Sequence, residues 1–141
     1  MSRNATEGFK DYKALYEMGV NLIYLNKPLI NTSGFDSTRN NLLNINMNTK
    51  LEMTSVFELS HGNVNSSIVS VREMFQKALL ANAVSIILMH NHPSGDSTPS
   101  REDIQVTKRA KDAGDLLGVQ VLDHIVIGRP GYSSLKEKGY I

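Results

Sequence analysis

The chain has 141 residues, no cysteine and a formal net charge of +1. This length is enough for one domain with a sizeable core, and the absence of cysteine excludes disulfides and thiolate metal ligands. Any metal must therefore be held by His, Asp or Glu. The small net charge argues against strong electrostatic binding of nucleic acid, although it does not exclude a local basic patch.

The apolar runs are too short to span a bilayer, and the first residues lack the apolar core of a signal peptide. We therefore expect no membrane association and a cytoplasmic location. The sequence contains no internal repeat, and we expect residues 1–141 to form a single domain. Its oligomeric state is not indicated by any pattern in the chain.

The N-terminal half predicts one helix and three strands, of which the first covers residues 20–25. Residues 6–18 have the spacing of an amphipathic helix, whose aromatic side we interpret as core packing. Residues 28–41 are rich in Asn, Ser, Thr and Gly, which is typical of a loop. Strands are predicted over residues 42–47 and 52–60.

The C-terminal half predicts a helix, a strand, a second helix and a further strand. Apolar residues repeat at spacings of 3 and 4 over residues 71–79, and residues 84–89 form a short branched apolar run typical of a buried strand. A loop with two prolines follows, and then a helix capped by Ser100 or Thr98 and stopped at Gly118. With a strand over residues 119–127, the expected class is α/β, a mixed sheet flanked by helices.

Three side chains around the predicted strand end have metal-ligand chemistry. His90 and His92 are two residues apart, so they point to the same side of the strand end. Asp103 falls in the first helical turn, where the helix dipole favours a carboxylate, and it shares an inward stripe with Val106, Ala110, Ala113 and Leu117. Two imidazoles and one carboxylate leave one position of a tetrahedral Zn²⁺ open, which is typical of a catalytic site.

The chemistry expected at this site is hydrolysis. Zinc in such a site lowers the pKa of water to about 7 and makes it a nucleophile, and Ser100 could donate a hydrogen bond to the oxyanion. The alternative is that the two histidines are ordinary strand-end residues and that Ser100 is only a helix cap. His124, on the last predicted strand, either orients a ligand or is a satisfied core histidine.

Further motifs carry a family resemblance across the last two thirds of the chain: Gly62-Asn63-Val64-Asn65, Arg72-Glu73-Met74-Phe75, His90-Asn91-His92-Pro93-Ser94-Gly95, Pro99-Ser100-Arg101-Glu102-Asp103, Leu122-Asp123-His124-Ile125 and Ser134-Leu135-Lys136-Glu137. From about Leu42 to Ile141 the chain resembles the RadC-like branch of the JAB/MPN (JAMM) metallopeptidase superfamily. The resemblance implies the JAB/MPN fold, a cytidine-deaminase-like mixed sheet flanked by helices, with residues 1–40 as a divergent N-terminal segment. It also implies a zinc-dependent metallopeptidase or isopeptidase-like hydrolase acting on a peptide or protein, with His90, His92 and Asp103 as ligands and Ser100 as a catalytic residue.

One position departs from the family pattern. The family signature begins with a glutamate that acts as general base, and counting back from Asn48-Thr49-Lys50 places Asn40 at that position. An amide is not basic near neutral pH, so asparagine cannot take a proton from water. Asp36, Glu52 and Glu58 are candidate replacements, although a loop or cap role for Asp36 and a solvated strand face for the two glutamates are the favoured interpretations.

Three functions remain open on the sequence alone. The first is a JAMM-type zinc hydrolase, and the second is a metal-binding or regulatory interaction module without turnover, which Asn40 motivates. The third is an accessory protein of DNA repair or mobile elements, which rests on the historical name of the RadC family. No residue of the chain indicates base or phosphate recognition, so this third function has the least chemical support.

Overall fold

A computed structural model describes residues 12–21, 40–62 and 70–141 of the protein. In chain order, the elements in these residues are α1 (Tyr12–Gly19), β1 (Asn40–Met47), β2 (Met53–Gly62), α2 (Val71–Leu80), β3 (Ser85–Asn91), α3 (Arg101–Leu117), β4 (Gln120–Ile127) and β5 (Tyr132–Ser134). Residues 6–11 of the first predicted helix, residues 22–25 of the first predicted strand and residues 28–39 of the predicted loop lie outside the described part. Residues 20 and 21, predicted to begin that strand, are helical instead. The other predicted elements are confirmed, with ends that differ by a few residues.

The five strands form one mixed sheet in the order β2-β1-β3-β4-β5. Strand β1 runs antiparallel to both β2 and β3, β3 runs parallel to β4, and β4 runs antiparallel to β5. A parallel pair needs a crossover connection, and α3 supplies it between β3 and β4. The predicted α/β class, a mixed sheet flanked by helices, is confirmed.

Helices cover both faces of this sheet. On one face, α2 and α3 bury a core that includes Leu42, Leu88 and Val106. On the other face, Leu15 and Tyr16 of α1 pack against a second core of strand residues. Every residue of β3 is buried because this central strand is covered on both faces and paired on both edges. Its carboxyl end is therefore a firmly held platform for the side chains that follow.

Helix α3 begins and ends where the sequence predicts. Ser100 is its N-cap, and Gly118 ends it in the left-handed conformation with φ of 75°. A non-glycine residue adopts that conformation at a cost of roughly 1–2 kcal/mol. In the described part of the chain, no helix has the length and hydropathy needed to cross a membrane.

The C-terminal end of α3 packs closely against the start of β4, with Gly114 directly beside the backbone of Val119. A Cβ added at Gly114 would lie 2.3 Å from the backbone oxygen of Val119. We expect Gly114→Ala to lower the free energy of unfolding by ~1–3 kcal/mol, the usual cost of overpacking. Gly131→Ala is the matched control, because a Cβ there meets nothing within 4 Å. Chemical denaturation checks this, and equal stability of the two variants would contradict it.

Candidate metal centre

His90 lies near the carboxyl end of β3, and its side chain is 2 % exposed. It pairs with Leu42 of β1 on one side and with Val126 of β4 on the other. Since directly paired residues of an antiparallel ladder share a face, His90 lies on the face that α2 and α3 cover, as Leu42 does. The fold thus holds this imidazole between the sheet and the helix that carries Asp103.

His92 follows the last residue of β3 and reaches the same point from the loop. Its Nδ1 is 3.0 Å from the backbone oxygen of Asp96, so the loop holds the outer edge of the ring. Its Nε2 is 3.2 Å from Nε2 of His90. A carbonyl oxygen can only accept a hydrogen bond, so Nδ1 of His92 carries a hydrogen, and Nε2 is the ring nitrogen that faces Asp103 and could bind a metal in its deprotonated form.

Asp103 is placed by the N-terminal cap of α3. Its backbone N–H donates to Oγ of Ser100 over 3.1 Å, while its Oδ2 accepts a hydrogen bond from the Ser100 backbone N–H over 2.7 Å. This reciprocal capping box fixes the carboxylate in the first helical turn. Its two oxygens reach the histidines, with Oδ1 at 2.8 Å from Nε2 of His90 and Oδ2 at 2.8 Å from Nε2 of His92.

These three side chains fit a metal ion by donor type and spacing. Ligand atoms of His90, His92 and Asp103 all lie within 4.8 Å of one another, and the described residues contain no other such cluster. Zinc bound tetrahedrally at ~2.0–2.1 Å requires nitrogen and oxygen ligands roughly 3.3 Å apart. The observed separations of 2.8 to 3.2 Å need only a small expansion to meet that requirement. The sequence predicted all three residues, and their role as ligands stays a prediction.

The local electrostatics favour a negative Asp103. Burial works against its ionisation, but hydrogen bonds with His90 and His92 outweigh burial and hold the pKa of Asp103 well below its ordinary value. The hydrogen bond with Asp103 raises the pKa of His92, with burial acting in the opposite sense. The carboxylate is therefore ionised at neutral pH, as a metal ligand must be.

Behind His90 lies a second histidine that is also buried. Nε2 of His124, on β4, is 2.7 Å from Nδ1 of His90, and Nδ1 of His124 is 2.5 Å from Oγ1 of Thr107. Burial, together with the nearby His90, lowers the pKa of His124 to about 3, so this ring is neutral. The contact with Nδ1 of His90 favours the interpretation in which His124 orients a candidate metal ligand over that of an ordinary core histidine.

Thr107 was missed by the sequence analysis. It is fully buried and donates a hydrogen bond from Oγ1 to the backbone oxygen of Asp103 over 2.8 Å. Its position in the sequence indicates the same inward direction, since Thr107 lies four residues after Asp103 and therefore one helical turn along the same stripe. The stripe itself is confirmed at Asp103, Val106 and Ala110, but Leu117, at its far end, is 47 % exposed.

The reciprocal hydrogen bonds between Ser100 and Asp103 hold Ser100 beside the candidate metal ligands. Its Oγ accepts one hydrogen bond, and within the described part of the chain no acceptor takes the hydroxyl hydrogen. That hydrogen can therefore be donated to a substrate oxygen. The capping interpretation of Ser100 is confirmed, and its predicted catalytic role stays a prediction alongside it.

Neither Glu52 nor Glu58, the two glutamates that could replace the missing base, lies beside the histidines. Glu52 follows the β1–β2 turn, where its Oε1 accepts from Asn48, and Met47 at that turn pairs with Ser85 at the opposite end of β3. Glu58 pairs with Leu43, whose side chain belongs to the core on the α1 face. Asp36 lies outside the described residues.

Asn40 is the first residue of β1, and its side chain lies outside the described part of the chain. The backbone next to it is held at the site: N–H of Asn41 donates to Oδ1 of Asn91 over 3.1 Å, and Nδ2 of Asn41 donates to the same oxygen over 3.0 Å. Asn91 directly follows His90. The strand that carries position 40 is thus tied to the strand that carries the histidine.

Fold and site together define a mixed α/β domain with a candidate His-His-Asp metal centre at the carboxyl end of its central strand. The family model described as the RadC-like JAB domain matches residues 25–140, and the chain belongs to that family. This match confirms the resemblance seen in the sequence and begins earlier in the chain than Leu42.

Curated relatives support the same membership. The chain is 54 % identical over 94 residues to a UPF0758 protein of Caldanaerobacter subterraneus subsp. tengcongensis. The aligned residues cover 67 % of this chain and 40 % of the relative. It is 50 % identical over 106 residues to a UPF0758 protein of Desulforamulus reducens, covering 75 % of this chain and 47 % of the relative. A UPF0758 protein of Bacillus pumilus is 50 % identical over 104 residues, covering 74 % and 46 %. The chain thus spans less than half the length of these relatives.

Proposed function

We propose that this domain is a zinc-dependent hydrolase of the JAMM type that cleaves peptide or isopeptide bonds in a protein or peptide substrate. The observation that carries the proposal is the convergence of His90, His92 and Asp103 at one point, with ligand atoms within 4.8 Å. Nitrogen and carboxylate donors without thiolates suit zinc, and three protein ligands leave a position for chemistry.

Each residue has a separate task in this proposal. His90, His92 and Asp103 would hold the ion, which would supply Lewis acidity and lower the pKa of water to about 7. The Ser100 hydroxyl donates to the oxygen that becomes negative when the carbonyl is attacked. Asp103 has a further task, since its carboxylate accepts the Ser100 backbone N–H and so keeps that serine beside the site.

The deciding experiment combines metal content with turnover. Full-length protein is reconstituted with zinc, dialysed and examined by elemental analysis, and a quenched-fluorescence peptide library together with an isopeptide-linked substrate reports hydrolysis. The proposal expects about one zinc per chain and hydrolysis that stops when the metal is chelated. Protein that holds no zinc after reconstitution would refute the metal site and the hydrolase together.

A second function is favoured by one specific observation, the asparagine at position 40. Without a basic residue there, and with Glu52 and Glu58 away from the histidines, the domain would bind metal and a partner without turnover. The same experiment separates the two functions, because this module holds zinc but leaves every substrate intact.

The role of Ser100 can be separated from its cap. We expect Ser100→Ala to lower kcat by about 10²–10³-fold, the usual effect of losing one oxyanion donor, while zinc occupancy is kept. Ser70→Ala is the matched control, because Ser70 caps α2 with the same bond, from Glu73 N–H to Oγ over 3.0 Å. Each variant should lose about 1 kcal/mol of stability. Equal kcat in both variants would leave Ser100 as a cap alone.

A further inference from the structure

Four groups form a continuous buried chain that starts and ends beside the candidate metal. The backbone oxygen of Asp103 accepts from Oγ1 of Thr107, Oγ1 contacts Nδ1 of His124, and Nε2 of His124 contacts Nδ1 of His90. Thr107 is fully buried and His124 is 1 % exposed, so water does not compete for these bonds. We call this chain the hydrogen-bond relay.

The chemistry of the end groups gives the relay one direction. A carbonyl oxygen can only accept, so the single hydroxyl hydrogen of Thr107 points to Asp103. The oxygen lone pair of Thr107 then accepts from His124, which requires a hydrogen on Nδ1 of that ring. Its Nε2 is left as an acceptor and faces Nδ1 of His90.

At the His90 end of the relay, zinc ligation requires hydrogen bonds that donate in the same direction. His90 turns its Nε2 toward Asp103 and His92, so Nε2 is the atom that can bind the ion. The hydrogen of the bound ring must then lie on Nδ1, where it needs an acceptor. Only a His124 with a bare Nε2 provides that acceptor.

We infer that Thr107 and His124 are positioning residues, which fix the tautomer of His90 so that its Nε2 lone pair faces the metal. The inference rests on the proposed zinc site and adds two residues that touch neither the ion nor a substrate. Partners that fix a ligand histidine in this way typically contribute 10- to 100-fold to metal affinity. The relay also joins two ligands, because it begins on the backbone of Asp103 and ends on the ring of His90.

The first test is zinc affinity, measured on the full chain by competition with a chromophoric chelator. Thr107→Val keeps the shape of the side chain but removes the hydroxyl, and we expect about 10-fold weaker binding. Thr107→Ser restores the hydroxyl and should retain the affinity of the unmodified protein. His124→Leu should weaken binding about 10- to 100-fold, and His124→Gln should recover part of it because the amide oxygen can accept from His90.

The second test reads the tautomers directly and needs no substitution. Long-range ¹H–¹⁵N spectra of zinc-loaded protein should show hydrogen on Nδ1 of both His90 and His124. Hydrogen on Nε2 of His124, or equal zinc affinity of Thr107→Val and Thr107→Ser, would overturn the relay. These results are distinct from failure of the proposed function, in which the unmodified protein binds no zinc, or binds zinc and hydrolyses no substrate.

Discussion

Zinc bound by the purified protein should fall from about one ion per chain to none when His92 is replaced by alanine. His92 contributes one of only three ligand atoms in the cluster, and its Nε2 is within 3.2 Å of both other ligands. Alanine has no donor that could replace it, and two protein ligands do not hold zinc firmly against dialysis. Elemental analysis after reconstitution with excess zinc measures the loss.

Asp103→Asn should weaken zinc binding less than His92→Ala, since both histidines remain and an amide oxygen is a poorer, neutral ligand. Asp115→Asn is the matched control on the same helix, because Asp115 is exposed and, among the described residues, pairs with Lys111 alone, over 3.1 Å. Circular dichroism of the metal-free variants establishes that each one folds. Full zinc occupancy in both His92→Ala and Asp103→Asn would mean that the ligands lie elsewhere.

The site could be predicted from the sequence because its residues are close together in the chain. His90, His92 and Asp103 lie within fourteen consecutive positions, where strand alternation and the first helical turn already determine direction. The partners of His90 were harder to predict. His124 is 34 residues away, and only the parallel pairing of β3 with β4 brings it to Nδ1 of His90.

Burial of polar residues in β1 was likewise not predictable from local pattern. Asparagine is disfavoured in strands, and the alternation of Asn with apolar residues in residues 42–47 would ordinarily indicate one solvated face. Asn44 and Asn46 are instead fully buried beneath α2, where Nδ2 of Asn44 reaches the backbone oxygen of Met74 over 3.4 Å and Oδ1 of Asn46 over 3.2 Å. The bond from Asn44 to Met74 exists only after the helix has packed, so the tertiary fold decides the burial of this polar side chain.

The proposed hydrolase needs a general base, and the geometry of β1 makes position 40 the candidate place for it. Position 40 lies two residues before Leu42, and Leu42 pairs directly with His90. Strand alternation predicts that a side chain placed at position 40 shares the face of Leu42 and His90. The adjoining bonds from Asn41 to Asn91 hold this end of β1 against the histidine strand. A carboxylate at position 40 is therefore expected to reach the attacking water.

Asn40→Glu should raise the rate of peptide or isopeptide hydrolysis by about 10²–10⁴-fold, the usual contribution of a general base. The substitution replaces an amide with a carboxylate that can take the proton from the attacking water, and it leaves the three candidate ligands and Ser100 unchanged. Steady-state kinetics of zinc-loaded protein on the same substrate measure the effect, which should appear in kcat rather than in KM.

Asn40→Gln is the control for this substitution, because glutamine has the length of glutamate without its basicity. A gain in both variants would indicate altered packing rather than proton transfer. The gain should also disappear when Asn40→Glu is combined with His92→Ala, since a base without the metal has no acidified water to act on. If the unmodified protein is already fast and Asn40→Glu changes little, another carboxylate serves as the base, and the placement of the family glutamate at position 40 is wrong.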